Sequence, residues 1–482
     1  MGYVVAIDAG TTGVRAFAID ETGKPIDVAY REFPQYFPQP GWVEHDATEI
    51  LDAVRSCLAE VTARLDAPIA AIGITNQRET VVAWSRATGK PLQRALVWQD
   101  RRTAEVCATL APQLPVVRAK TGLVLDPYFS ATKLAWLLQR VDADKADVMV
   151  GTIDTWLLWN LTGEYATDVS NASRTLLCDI TTRAWDDELI ELFGVDAVLP
   201  EIRPSSGRFG VTEDGIPVSG IAGDQQAALF GQACFTPGMT KNTYGTGSFV
   251  LMNVGPDRPT PVEGLLTTVG WELADGSVTY ALEGAIFVTG AAIQWLRDGL
   301  GLISAAPEIG PLAESVADTD GVFVVPAFTG LGSPWWDPYA RGAIVGITRG
   351  TTKAHIARAV VEAMVLSTRD VADAMAAASG RAATALRVDG GASVMDLLCQ
   401  LQADQLQVEV ARPVVTETTA LGAAYLAGLA EGVWSSTDEL SDLWSVDAAW
   451  QPQVPKDVAD ARLEQWHNAV GRSRNWAAVA AD

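Results

Sequence analysis

The sequence predicts an α/β fold in which two similar domains flank a central cleft. Strand-like apolar runs alternate with helical segments through much of the chain, a pattern typical of layered α/β domains. A length of 482 residues is enough for two or three domains of the usual size. A glycine–threonine turn between two strands also occurs twice, at residues 10–12 and 245–247, which indicates a repeated unit.

The first unit opens with two strands around a turn, followed by a helix and a further strand. Apolar runs typical of buried strands and an amphipathic spacing typical of a helix place these elements. The helix has Asp46 as its N-cap, and Glu49 three residues later completes a capping box. The predicted elements are strands at residues 4–7, 14–19 and 69–74 and a helix at residues 46–65.

The second unit begins past the middle of the chain. Residues 240–252 repeat the order of apolar strand, glycine turn and strand, and Pro237 with Gly238 immediately upstream marks the expected boundary. We therefore expect domains at residues 1–238 and 239–482. The later predicted elements are helices near residues 290–300, 353–377, 392–406 and 418–430 and strands at residues 321–326 and 385–389.

The composition excludes several functional classes. With 35 basic and 59 acidic residues the net charge is −24, which repels nucleic acids and anionic lipid surfaces. Five cysteines without a C-x-x-C pair favour neither disulfides nor zinc, and no export signal is visible, so we expect a cytoplasmic protein. The longest apolar stretch, near residues 420–430, is too short to span a bilayer. A phosphorylated ligand would need backbone N–H groups, arginines and a metal ion to offset this charge.

The glycine turns are the candidate phosphate-binding sites, since both the P-loop and the Rossmann fingerprint are absent. In the turn from Asp8 to Arg15, glycines allow close backbone approach, hydroxyl groups and N–H groups donate, and Arg15 adds positive charge. Asp8 is a candidate ligand for Mg²⁺. A hairpin turn without any ligand is the alternative, and the echo at residues 245–247 favours binding. The strand-to-helix turn at Gly390 and Gly391 suits an adenosine or is a simple helix start.

Two polar segments are candidates for binding a small hydroxylated molecule. Residues 76–80 (NQRET) follow an apolar strand, where α/β proteins place ligands, and the alternative is a solvated loop with a surface ion pair. Asp224 and Gln225 follow a glycine, and the alternative for Asp224 is a helix N-cap. Trp98, Tyr128 and Phe287 are candidate apolar walls or ordinary core residues.

These segments resemble the FGGY carbohydrate kinases nearly end to end. The segments that carry the resemblance include AIDAGTTGVRAF, GITNQRET, DPYFSATK, GDQQAALFGQ, KNTYGTG and LRVDGGAS. The resemblance implies a pair of actin-like, ribonuclease-H-like domains that close over their ligands. It also implies transfer of the γ-phosphoryl group of ATP to a primary hydroxyl of glycerol, and a homodimer or homotetramer. A kinase for another polyol or a ketose and a nucleotide-driven scaffold protein remain the alternatives.

The resemblance also assigns roles to individual residues. Asp224 is implied as the catalytic base, and Asp8 and Asp224 as the groups that face Mg²⁺. The implied polyol-binding residues are Arg78, Glu79, Trp98, Tyr128, Asp224, Gln225 and Phe287. The implied ATP-binding residues are Thr11, Thr12, Gly13, Arg15, Thr246, Gly290, Gln294, Gly391 and Met395.

Two of the implied ATP contacts depart from the family pattern. Met395 stands where the family often has an asparagine at the adenine, and a thioether cannot donate a hydrogen bond to the base. Gly13 replaces a hydroxyl-bearing residue in the first phosphate turn. The first departure bears on base selectivity and nucleotide affinity, whereas phosphate binding is expected to be kept.

Overall fold

A computed structural model describes residues 2–478. The first half of the chain contains strands β1 Tyr3–Ala9, β2 Gly13–Ile19, β3 Pro25–Glu32, β4 Glu44–His45, β5 Ile69–Asn76, β6 Val81–Ser85, β7 Ala95–Leu96, β8 Val148–Thr152, β9 Ala166–Asp168, β10 Cys178–Asp179, β11 Ala184–Trp185, β12 Glu201–Arg203, β13 Ser206–Val211 and β14 Pro217–Gly223. Its helices are α1 Ala47–Thr62, α2 Ala104–Thr109, α3 Leu114–Thr121, α4 Ser130–Leu138, α5 Ile153–Thr162, α6 Val169–Ala172, α7 Asp187–Phe193 and α8 Asp224–Gly231.

The second half repeats the alternation of strands and helices. Its strands are β15 Met239–Tyr244, β16 Ser248–Gly255, β17 Leu266–Glu272, β18 Val278–Ile286, β19 Phe323–Val325, β20 Ala343–Val345, β21 Ala385–Gly390, β22 Val410–Pro413 and β23 Val446–Trp450. Its helices are α9 Gly290–Gln294, α10 Ile309–Glu314, α11 Lys353–Ser379, α12 Asp396–Leu406, α13 Thr418–Ala430, α14 Thr437–Leu443 and α15 Lys456–Ser473. The predicted α/β class is confirmed.

The two large sheets share one strand arrangement. The first has the order β13-β14-β5-β1-β2-β3, in which β1 pairs with β5 in parallel and β5 pairs with β14 in parallel, while β2 and β3 are antiparallel. The second has the order β17-β18-β16-β15-β21-β22-β23, with β15, β21 and β22 parallel and β16 and β18 antiparallel. Each unit therefore has three antiparallel strands side by side, β3-β2-β1 in the first and β18-β16-β15 in the second, extended by two parallel strands, and the predicted repeat at residue 240 is confirmed.

Helix α13 joins the two units. It lies late in the sequence, yet it packs on α8 and on β1, β5 and β14 of the first sheet, and its apolar residues share one core with that sheet. The approach to α8 is so close that a Cβ at Gly422 would lie 1.8 Å from the carbonyl oxygen of Ala227. A Cβ at Gly73 would likewise lie 2.1 Å from the carbonyl oxygen of Ala423. These two glycines allow the helices and the sheet to pack backbone against backbone.

Two predicted helices are less regular than their sequence pattern indicates. The helix predicted at residues 290–300 is α-helical only over Gly290–Gln294 and continues as a π-helix over Trp295–Gly299. The helix predicted at residues 392–406 is divided, because Met395 has an extended backbone between a 3₁₀ turn and α12. In the part of the chain that the structure describes, no helix is both long and apolar enough to cross a membrane.

Candidate active site

The carboxyl ends of three parallel strands bring the predicted polar segments together. The register places Ala9 of β1 opposite Asn76 of β5, and Asn76 opposite Gly223 of β14. The residues just before or after these positions are Asp8, the segment 77–80 and Asp224. Polar side chains that are far apart in the sequence thus lie at one sheet edge, which is where α/β proteins bind ligands.

Asp224 is the first residue of α8, and the helix N-cap is Gly223. The alternative that Asp224 caps the helix is therefore wrong. Its Oδ1 lies 3.1 Å from Nε of Arg78 and accepts from the N–H of Gln225 at 2.7 Å. A Cβ at residue 223 would lie 2.7 Å from Cδ of Arg78, so glycine at this position lets the arginine reach the carboxylate.

The segment 77–80 is buried, so its interpretation as a solvated loop is wrong. Glu79 has a φ of 61°, and the N–H of Thr80 donates to the carbonyl of Arg78 at 2.8 Å across it. Such a tight three-residue turn is strained for a residue with a side chain. The Glu79 carboxylate is held by Nε of Arg174 at 2.7 Å, and this contact stabilises the turn.

A buried cluster of charges connects the two halves of the chain. Arg78 donates to Glu283 of β18 at 2.6 Å and 3.2 Å, and Arg174 donates to Glu283 at 3.0 Å. The side chains of all three residues are at most 2% exposed. Arg78 also donates to the hydroxyl of Tyr128 at 3.3 Å. Buried charges need such partners, because an unpaired buried charge destabilises the fold by its desolvation penalty, on the order of several kcal/mol.

The electrostatics of the cluster divide the carboxylates into two groups. Burial alone would raise the pKa of Glu283, but the guanidinium groups of Arg174 and Arg78 outweigh it and lower the pKa to about 2. Burial raises the pKa of Asp224, with Arg78 opposing the rise. Burial also raises the pKa of Glu79. Glu283 is therefore a fixed counter-ion, whereas Asp224 is the better proton acceptor.

Aromatic side chains line one cavity beside this cluster. Trp98 and Tyr128 pack edge to face with ring centroids 5.5 Å apart, and Phe287 packs edge to face on Trp336 at 6.0 Å. These four side chains line the cavity together with Gln225 and others. Three predicted aromatic walls and a predicted polar residue thus meet at one site.

A second cavity adjoins the first. Its lining includes the predicted residues Gly290, Gln294, Gly391 and Met395. Gly245 and Thr246 line both cavities, so the second glycine turn is the wall between them. A Cβ at Gly391 would meet no atom within 4 Å, so the backbone there is open to a flat ligand.

The first glycine turn lies at the edge of this region, and its two threonines differ in their contacts. Thr11 accepts from the indole N–H of Trp98 at 3.0 Å, and Thr12 is exposed. Gly13 begins β2, where a Cβ would come within 2.6 Å of the ring of Tyr30. The packing against Tyr30 therefore explains why residue 13 is a glycine. The contact of Gly13 with the nucleotide stays a prediction.

Arg15 and Asp8 give this turn its charge. Arg15 pairs with Glu417 at 2.9 Å, where the partners are 43% and 45% exposed. Burial raises the pKa of Asp8 to about 7, and Arg15 opposes the rise. The carboxylates of Asp224 and Glu417 add to it. Asp8 is thus short of positive neighbours.

Three residues of the site escaped the sequence analysis. They are Arg174, Glu283 and Lys241, and each is fully buried. Glu283 and Lys241 are charged residues inside otherwise uncharged strands, a signal that marks them as unusual without naming their partners. Arg174 follows the short helix α6 in a polar run that gives no such signal.

The sequence matches the FGGY family of carbohydrate kinases over both of its domains. Residues 3–231 match the N-terminal domain and residues 240–431 match the C-terminal domain. The chain belongs to the FGGY family of carbohydrate kinases. FGGY relatives include a glycerol kinase of Bordetella parapertussis, 52% identical over 99% of this chain and 98% of the relative. Glycerol kinase 2 of Thermotoga maritima is 51% identical over 99% of both chains.

A solved structure of this FGGY fold agrees with the match. The crystal structure of Plasmodium falciparum glycerol kinase with ADP superposes with a TM-score of 0.94, at 35% identity and 98% coverage of both chains. The expected pair of actin-like domains flanking a cleft is confirmed by this FGGY structure. The boundary after residue 238 stays a prediction.

Proposed function

We propose that this protein transfers the γ-phosphoryl group of ATP to a primary hydroxyl of glycerol, which gives sn-glycerol 3-phosphate and ADP. The observation that carries the proposal is the pair of adjoining cavities that share Gly245 and Thr246 as a common wall. One cavity has aromatic walls, and the other is lined by the open backbone of Gly391. The glycerol kinases of Bordetella and Thermotoga, which match this chain over nearly their full length, support the choice of glycerol.

The first cavity suits a small polyol. Aromatic faces of Trp98 and Phe287 pack against carbon-bound hydrogens, and Tyr128 and Gln225 of the lining supply hydrogen-bonding groups. Arg78 and Glu79, from the cluster beside the cavity, add further hydrogen-bonding groups. The cluster around Glu283 fixes Arg78 before substrate arrives. Little reorganisation is therefore needed on binding, and this rigidity favours alignment of the reacting hydroxyl.

Asp224 is the proposed base. Phosphoryl transfer has a loose transition state, so alignment and neutralisation of charge matter more than covalent help. Asp224 accepts the hydroxyl proton late in the transfer, and its raised pKa suits this role. Arg78 at 3.1 Å holds the carboxylate in place.

The second cavity is the proposed nucleotide site. Adenosine lies beside Gly391, Gln294 and Met395, and the phosphates extend past Thr246 and Gly290 towards Thr11, Thr12, Gly13 and Arg15. To meet them, Arg15 exchanges its exposed pairing with Glu417 for a phosphate oxygen. An exposed ion pair is worth at most about 1 kcal/mol, so the exchange costs little.

Asp8 and Asp224 fit a magnesium ion. Both supply carboxylate oxygens, and within residues 2–478 no hydrogen bond reaches the carboxylate of Asp8. No group of three or more His, Cys, Asp or Glu side chains among these residues is arranged as a metal site. Magnesium needs none, since one or two carboxylates and the substrate phosphates hold it. Bound there, it would neutralise charge on the phosphate oxygens.

The remaining proposals concern location and assembly. A cytoplasmic protein is supported by ATP as substrate and by five free, buried cysteines. The homodimer or homotetramer stays a prediction, which light scattering can check.

An assay of Asp224→Asn tests the proposed function. We expect kcat with glycerol to fall by about 10²- to 10⁴-fold because the base is lost, while ADP still binds in calorimetry. The matched control is Asp187→Asn, since Asp187 is also the first residue of a helix but is exposed outside the cleft. Unaltered turnover by Asp224→Asn would remove this residue from the mechanism.

A substrate panel tests the choice of glycerol. We expect the native protein to have a higher kcat/KM for glycerol than for dihydroxyacetone, erythritol or xylulose. Preference for xylulose would instead support a ketose kinase. ATP binding without phosphorylation of any of the four would support a scaffold protein.

A further inference from the structure

Lys241 is a wholly buried lysine in the middle of the second sheet. It lies on β15, between β16 and β21, and is 0% exposed. A buried ammonium is costly unless its donors are satisfied, so its contacts are informative. None of the roles proposed above involves this residue.

The Lys241 ammonium has two partners that face the cleft. It donates to Oγ1 of Thr243 at 2.9 Å and to Oε1 of Gln225. Lys241 and Thr243 are two residues apart on a strand, so they lie on the same face, and Thr243 lines the aromatic cavity. Gln225 lines the same cavity. Lys241 thus lies directly behind the wall of the polyol cavity.

The contact fixes which end of the Gln225 amide faces the cavity. An ammonium group only donates, so the amide group must turn its oxygen towards Lys241. The NH₂ group of the same amide then points away from Lys241. Gln225 therefore presents a donor beside the acceptor carboxylate of Asp224.

We propose that Lys241 is a positioning residue for the polyol, which holds the amide of Gln225 so that its NH₂ group donates to a substrate oxygen. The proposal rests on the proposed function, since it takes Gln225 to contact the polyol. The substrate oxygen opposite Gln225 must then be one that accepts a hydrogen bond, while the oxygen opposite Asp224 must donate one. Without Lys241 the amide is free to turn over, and the donor is lost for part of the time.

A double-mutant cycle of Lys241→Met and Gln225→Ala tests the proposal. We expect each single variant to raise the KM for glycerol by roughly three- to tenfold, the effect of one hydrogen bond, with little change in the KM for ATP. We expect the double variant to match Gln225→Ala, because Lys241 acts through that residue. Effects that multiply, or a loss confined to kcat, would overturn the proposal. An unchanged glycerol KM for Gln225→Ala would instead overturn the assignment of the polyol site.

Two further variants protect the test against loss of folding. Lys241→Gln keeps an N–H donor without the charge, and we expect it to recover part of the glycerol affinity lost in Lys241→Met. Lys133→Met is the matched control, since Lys133 is also 0% exposed but donates to the carbonyls of Pro127 and Tyr128. We expect the effect of Lys133→Met on the glycerol KM to multiply with the effect of Gln225→Ala, because the two residues act independently. If Lys133→Met shows the same non-additivity as Lys241→Met, the coupling is not specific and the proposal is wrong.

Discussion

Replacing Glu283 by glutamine removes the carboxylate on which two buried arginines depend. The pKa of Glu283 falls from its ordinary 4.5 to about 2, because Arg174 and Arg78 outweigh the effect of burial. At about 1.4 kcal/mol per pKa unit, this corresponds to about 3 to 4 kcal/mol of stability at pH 7. The same figure lies at the lower end of the roughly 3–5 kcal/mol for breaking a buried ion pair.

The sign of the pH dependence follows from the lowered pKa. A carboxylate whose pKa is lower in the folded state stabilises the protein above its ordinary pKa of 4.5, and this stabilisation is lost as the pH falls towards 2. The cost of Glu283→Gln should therefore stay constant between pH 7 and about pH 5.

Urea titrations of the variant and the native protein, followed by tryptophan fluorescence, measure this cost. The matched control is Glu188→Gln, because Glu188 pairs with Lys120 at 2.7 Å but is 64% exposed. We expect a cost of at most about 1 kcal/mol for the control. If Glu283→Gln costs no more than the control, the buried cluster does not stabilise the fold as argued.

Two further predictions concern buried charge and the cavity wall. Asp154 has one carboxylate oxygen without a partner and the other 2.6 Å from the hydroxyl of Thr167, and burial raises its pKa to about 6. Folding stability is therefore lost as the pH rises from 3.8 to about 6. We expect Asp154→Asn to raise the melting temperature at pH 8 and to raise it less at pH 5. A gain in melting temperature that is independent of pH would contradict this reasoning. We expect Phe287→Ala to raise the glycerol KM about tenfold, because an apolar wall of the polyol cavity is lost. The melting temperature should change little, because Phe287 is 40% exposed. An equal rise in the KM for ATP would contradict the place of Phe287 in the polyol cavity.

The elements that could be predicted from the sequence are those with local causes. Helix α13 has the bounds Thr418–Ala430 that its apolar run predicts, since Glu431 ends the run. The strand at residues 69–74 is confirmed as β5. The capping box of α1 is only half right: Asp46 caps the helix, but Glu49 accepts from the hydroxyl of Tyr36 at 2.9 Å. Glu49 thus accepts from a side chain outside the helix instead of from the backbone N–H of Asp46, as a capping box requires.

The parts of the site that could be predicted are likewise the ends of strands. Asp224 and the segment 77–80 follow apolar strands, so their position at a sheet edge follows from local pattern. Glu283 and Arg174 could not be predicted as partners, because they are 109 residues apart in the chain and meet only when the two units dock. The partner of a buried charge depends on topology, which strand and helix propensities do not specify.

The buried cluster also explains how so acidic a chain can receive a nucleotide. The net charge is −24, but in the cluster the carboxylates of Glu79, Glu283 and Asp224 face the cations Arg78, Arg174 and Lys241. Asp389 also acts on Lys241, so four carboxylates face three cations here, and the cluster carries only about one of the 24 excess negative charges of the chain. Repulsion from the surface is screened within about 10 Å at 0.1 M salt, whereas the cluster is shielded from solvent ions. The proposed ATP affinity should therefore depend on the charges in the cleft more than on the net charge of the chain.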